Sequence, residues 1–148
     1  MNIEHYFITS DSSHFLYKFQ SIGPKGIINK VVFFSKINHP YKNYYNLSFG
    51  DWDDINNGIN DCITSNNNDT KKVLFTVAIT TKLFMTRFPD ATILIEGSTK
   101  SRTRLYQMSI IQNLQEIEKY FEILGLRNGK WRKFKTGINF DAFLVKRK

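Results

Sequence analysis

The chain has 148 residues, 41% hydrophobic and 15% aromatic, which suits a single domain, 1–148, with an aromatic-rich core. No apolar run approaches the roughly 18 residues of a membrane span, and the N-terminal stretch lacks the basic and apolar regions of a signal peptide. The lone cysteine, Cys62, excludes an internal disulfide, so a cytoplasmic protein is expected.

The net charge is +8, and it is uneven: residues 127–148 hold eight basic residues against one acid, Asp141, while the first 126 residues are at +1. Such asymmetry favours a polyanionic partner. Lysines also protect exposed sheet edges, which is the bland explanation.

In chain order, residues 14–22 (HFLYKFQSI) alternate as a strand, and Gly23-Pro24-Lys25-Gly26 is a turn signal. Residues 27–37 form the hairpin partner, 44–49 (YYNLSF) a third strand, and Gly50-Asp51-Trp52-Asp53-Asp54 breaks the pattern. The polar loop Ser65-Asn66-Asn67-Asn68-Asp69 offers N-caps for a helix over 70–87. That helix carries one wide stripe (Val73, Leu74, Val77, Ala78, Thr81, Phe84, Met85, Phe88) and a second one behind it (Phe75, Ile79, Leu83), and Pro89 stops it. A short strand, 91–96, precedes a second helix from about Ser101. On it Tyr106, Ile110, Leu114 and Ile117 fall within about 80° of one another. Residues 120–126 read as a strand because Asn128-Gly129 signals a hairpin. Residues 131–135 return, and 140–145 make the last strand. The expected order is β-β-β-α-β-α-β-β-β, an α+β fold with two main helices and a largely antiparallel sheet.

Two segments carry candidate anion chemistry. Ser98, Thr99, Lys100, Ser101, Arg102 and Arg104 lie at a strand-to-helix turn. Helix N-termini bind anions there, so a phosphate would explain cations at the end where the dipole disfavours them. The alternative is plain capping by Ser98 or Ser101 and pairing of Arg102 with a carboxylate such as Glu96. The second segment interleaves rings with cations, as RNA binding favours: Lys130, Trp131, Arg132, Lys133, Phe134, Lys135. Strand alternation sends Trp131 and Phe134 to opposite faces, so one ring belongs to the core. Lys146-Arg147-Lys148 adds charge, as a tail that needs no fixed structure.

Asp51, Asp53, Asp54 and Asp61 could hold magnesium, yet turn formation explains them as well. His5, His14 and His39 form no motif. Zinc spacing, dinucleotide loops and nucleophile elbows are absent from the sequence, so no catalytic residue, metal or cofactor is assigned.

The chain resembles an uncharacterised domain family common in Bacteroidota. The stretches that carry the resemblance include Ser21-Ile22-Gly23-Pro24-Lys25-Gly26, Asn46-Leu47-Ser48-Phe49-Gly50-Asp51-Trp52, Ser65-Asn66-Asn67-Asn68-Asp69, Phe88-Pro89-Asp90-Ala91, Arg102-Thr103-Arg104-Leu105-Tyr106-Gln107-Met108 and Phe143-Leu144-Val145-Lys146-Arg147-Lys148. The resemblance transfers no catalytic residue. It implies small stand-alone proteins of an accessory kind, near mobile elements or defence systems. The favoured expectation is a non-enzymatic binder of RNA or of an RNA–protein complex, with an anti-CRISPR inhibitor of an RNA-guided nuclease as one concrete form. The rivals are a small ribonuclease toxin using His14, Arg102, Arg104 and Tyr106, and a protein-binding antitoxin.

Overall fold

A computed structural model describes residues 4–40, 42–60 and 67–148. Cys62, Asp61 and the start of the polar loop at Ser65 and Asn66 lie outside the described residues. The chain forms two compact units, residues 1–35 with 48–87, and residues 36–47 with 88–148.

The first unit holds β1 (Thr9–Ser10), β2 (Leu16–Gly23), β3 (Gly26–Lys36), the second half of β4 (Tyr44–Asp53), β5 (Gly58–Asn60) and α1 (Thr70–Arg87). β1 and β2, β2 and β3, and β4 and β5 pair antiparallel. The alternation read in β2 is real: Tyr17, Phe19 and Ser21 are buried, while Lys18, Gln20 and Ile22 face outward. Rings fill the buried side. Phe34 stacks on Phe84 of α1 at 4.2 Å, and Phe19 stacks between Tyr6 and Phe49 at 5.9 and 6.4 Å.

α1 has the expected boundaries, but its buried face is more polar than the expected stripe. Thr76 and Thr80 are fully buried, whereas Leu83 is 45% exposed. Small side chains let the helix approach the rings closely. Each hydroxyl donates back to the helix, Thr76 to Lys72 O and Thr80 to Val77 O, so none is buried unpaired.

The turn after β2 and the residues before α1 meet. Asn67, 1% exposed, donates from Nδ2 to Gly26 O (2.9 Å) and accepts from Lys25 N–H (2.7 Å). Gly23 has to be glycine, because a Cβ there would lie 2.1 Å from Asn67 O. The Asp69 carboxylate accepts from the hydroxyls of Ser21 and Tyr6. Two segments remote in sequence thus form one clasp.

Burial, followed by the hydrogen bond to Asp69, raises the Tyr6 pKa, and burial raises that of Tyr17, with the Asp11 carboxylate adding to it. The folded state therefore holds these protons more tightly than the unfolded chain. Their contribution to stability is complete below about pH 10 and is lost as pH rises through the raised values. In an alkaline titration followed at 295 nm, Tyr6 and Tyr17 are expected to ionise above the ordinary tyrosine range, together with loss of the circular dichroism signal. Tyr6→Phe and Tyr17→Phe variants that leave the alkaline unfolding midpoint unchanged would contradict this.

The strand expected to stop at Phe49 runs on to Asp53. Gly50 is there for close approach rather than to break the strand, since a Cβ would meet Asn60 O of β5 at 2.6 Å.

The second unit holds the first half of β4, β6 (Thr92–Ile95), α2 (Lys100–Gln112), α3 (Leu114–Tyr120), β7 (Phe121–Arg127), β8 (Lys130–Lys133) and β9 (Ala142–Arg147). The strand order is β4-β6-β9-β7-β8, parallel only between β4 and β6. The fold is thus α+β and mostly antiparallel, as expected. It adds the short β1 and β5 to the expected order. The second helix is divided at Asn113, whose side-chain Nδ2 donates to Ser109 O.

Candidate nucleic-acid interface

β8 ends the strand order of the second unit and, among the described residues, pairs with β7 alone. Its turn is the one that the Asn-Gly pair predicts: Asn128 and Gly129 both have positive φ, 53° and 74°. All four β8 residues are exposed, and Trp131 is 41% exposed. Phe134 is the ring that goes inward, at 4%. Among the described residues, Arg127, Lys130, Arg132, Lys133 and Lys135 form no ion pair and no hydrogen bond through their side chains. Five neighbouring cations thus remain open to a partner.

The core fixes this edge from beneath. Phe134, Phe140 and Phe143 contact one another with centroids 5.4 to 6.2 Å apart. Gly125 of β7 admits the Phe140 ring, which an added Cβ would meet at 2.4 Å. From α2, Gln107 Oε1 accepts from Phe140 N–H (3.0 Å) and its Nε2 donates to Ile138 O (2.6 Å). Arg104 donates to Gln107 Oε1 and to Phe140 O (2.7 Å). The chain end is also held: Lys148 N–H donates to Tyr120 O (3.0 Å), and Lys146 lies 3.7 Å from Glu122. A free tail is therefore replaced by a paired one.

At the start of α2 the cap is Thr99, not Ser98 or Ser101. Its hydroxyl accepts from Arg102 N–H (3.1 Å), and Thr103 closes the turn by donating to Thr99 O and accepting from Gly97 N–H. Ser98, Lys100 and Ser101 are exposed, and Arg102 is half-buried. The six residues named from sequence here thus divide. Lys100, Ser98 and Ser101 face outward, Thr99 and Arg104 hold the fold, and the half-buried Arg102 lies between the two groups.

The groups named for RNA cleavage divide in the same way. Arg104 is engaged as above, and Tyr106 is 7% exposed. His14 sits in a turn at φ 63°, its N–H donating to Asp11 O. Of the acidic residues, Asp51 and Asp53 serve the fold, and Asp61 lies outside the described residues. Asp51 pairs with Lys30. Asp53 binds Ile55 N–H, Asn56 N–H and the Asn56 amide, and the bonds to Asn56 foremost lower its pKa. Among the described residues no cluster of three His, Cys, Asp or Glu side chains could hold a metal, and no helix is long and apolar enough to cross a membrane.

One feature of the first unit escaped the sequence. Phe7, Lys18, Gln20, Asn29, Val31 and Trp52 are among the residues lining a groove of about 560 Å³. They come from four segments, and only the sheet register (Lys18 opposite Val31, Gln20 opposite Asn29) brings them together.

No curated protein and no solved structure matches the chain. A family model described as a family of unknown function (DUF6934) matches residues 2–148, and the chain belongs to that family.

Proposed function

We propose that the protein is a non-enzymatic binder of RNA or of an RNA–protein complex, with the β8 edge as its principal contact surface. In a defence-associated setting an RNA-guided nuclease is one concrete target. The observation that carries this reading is the group of five cations, unpaired among the described residues, along a rigidly supported edge, with the exposed Trp131 and Lys133 on one face of β8 and Lys130 and Arg132 on the other. Cations that only solubilise a surface need no such support, whereas cations that meet phosphates at fixed spacing benefit from it.

The test is fluorescence anisotropy with a short labelled single-stranded RNA at rising salt. Each lost phosphate contact should flatten the slope of log K against log salt by about 0.7. A Lys130→Gln, Arg132→Gln, Lys133→Gln triple variant should therefore show a slope shallower by about 2. It should bind roughly 100-fold more weakly near 0.1 M salt. Its melting temperature should not move, because none of the three side chains contacts the interior. Salt-independent binding by the native protein, or a variant that binds as tightly, would sink the proposal. Loss of the labelled strand's integrity would favour the ribonuclease instead.

A further inference from the structure

We infer that the groove of the first unit is a second site, which holds the unpaired bases of a single-stranded RNA. The choice of ligand rests on the nucleic-acid reading above, but the residues and the contact chemistry are different. The first observation is Phe7. It is 84% exposed, although the chain is pinned on both sides of it. Tyr6 is buried, with its N–H on Thr76 Oγ1 at 3.0 Å, and Thr9 pairs with Lys18 in the sheet. The Phe7 ring is therefore held outward beside a groove, at the full hydration cost of an aromatic side chain.

The second observation is what lines the groove. Gln20 and Asn29 face each other across β2 and β3, with Gln20 Nε2 donating to Asn29 Oδ1 at 3.1 Å. That bond leaves Gln20 Oε1 as an acceptor and Asn29 Nδ2 as a donor, the pair of functions by which amides read a base edge. Lys18 is exposed, with its ammonium 5.3 Å from the Trp52 ring centroid, where a phosphate can meet it. A volume of about 560 Å³ is in the usual range for small-ligand sites. An open sheet surface with a free ring, edge-reading amides and a cation is the arrangement that binds unstacked bases. The base stacks on Phe7, the amides meet its edge, and Lys18 meets the phosphate.

The two tryptophans make the test selective, since Trp52 lines the groove and Trp131 lies on β8. In a Trp131→Phe protein all indole emission comes from Trp52. Titration with A, C and U hexanucleotides should quench it saturably, and to different extents for the three bases. Phe7→Ala should weaken this binding roughly 10-fold, the scale of one lost base stack, at high salt as well as low, with an unchanged melting temperature. Gln20→Ala should reduce the difference between the bases. RNA that raises anisotropy but leaves Trp52 emission unchanged would overturn the groove and spare the β8 reading. Quenching of Trp52 that survives when the β8 triple substitution is made in the Trp131→Phe protein, with an unchanged salt slope, would support the groove and remove the β8 reading. A Phe7→Ala protein that binds every hexanucleotide as before overturns the inference.

Discussion

Asp51→Ala is expected to cost about 3–5 kcal/mol of folding stability, the range for breaking a buried ion pair from one side. The Lys30 side chain is 5% exposed and that of Asp51 14%. The ammonium lies 5.8 Å from the centroid of Phe49, so removal of the carboxylate takes the ion-pair partner from a largely buried cation beside a ring. The converse change distinguishes charge from packing. Lys30→Met with Asp51→Leu replaces the pair by apolar groups of similar size and should recover most of the loss. Urea denaturation of the three proteins measures both. A loss below about 1 kcal/mol in Asp51→Ala would mean that water reaches the pair and that it behaves as a surface bridge.

Gln107→Leu should be the next most damaging, at about 3 kcal/mol. The substitution keeps volume but leaves Phe140 N–H and Ile138 O without their side-chain partner and takes one acceptor from Arg104. Buried groups left unpaired cost about 1–3 kcal/mol each. Because the clamp fixes the loop that returns from β8, the variant should also show faster amide exchange over residues 134–141. RNA affinity, measured well below the melting temperature, should fall with it. Arg104→Lys separates the two roles proposed for this arginine. A lower melting temperature with intact affinity assigns it to the fold, where its bond to Phe140 O already places it. Lost affinity at constant stability would assign it to a phosphate.

Where local chemistry decided the structure, the sequence was legible. α1 is bounded by a polar loop and Pro89, and Asn128-Gly129 demands a tight hairpin whatever surrounds it. Composition alone located the open charges around β8. Features set by remote neighbours were not legible. Gly50 reads as a breaker until Asn60 is known to press against it, and nothing in the sequence places Asp51 beside Lys30. Thr76 and Thr80 look polar, and only their bonds to the helix's own carbonyls make them core residues. The groove was invisible for the same reason, because Phe7, the residues of β2 and β3, and Trp52 are distant in sequence.

The threonines of α1 bear on how the chain reaches this structure. Eight of the eighteen residues in that helix are β-branched (Thr70, Val73, Thr76, Val77, Ile79, Thr80, Thr81 and Thr86). Such residues lose rotamer freedom in a helix and are modest helix formers. An isolated segment of this composition has little reason to nucleate, so helix formation follows docking on the sheet rather than preceding it. The rate-limiting barrier then lies in closing strand pairs between distant parts of the chain, and folding belongs to the slower, topology-limited regime.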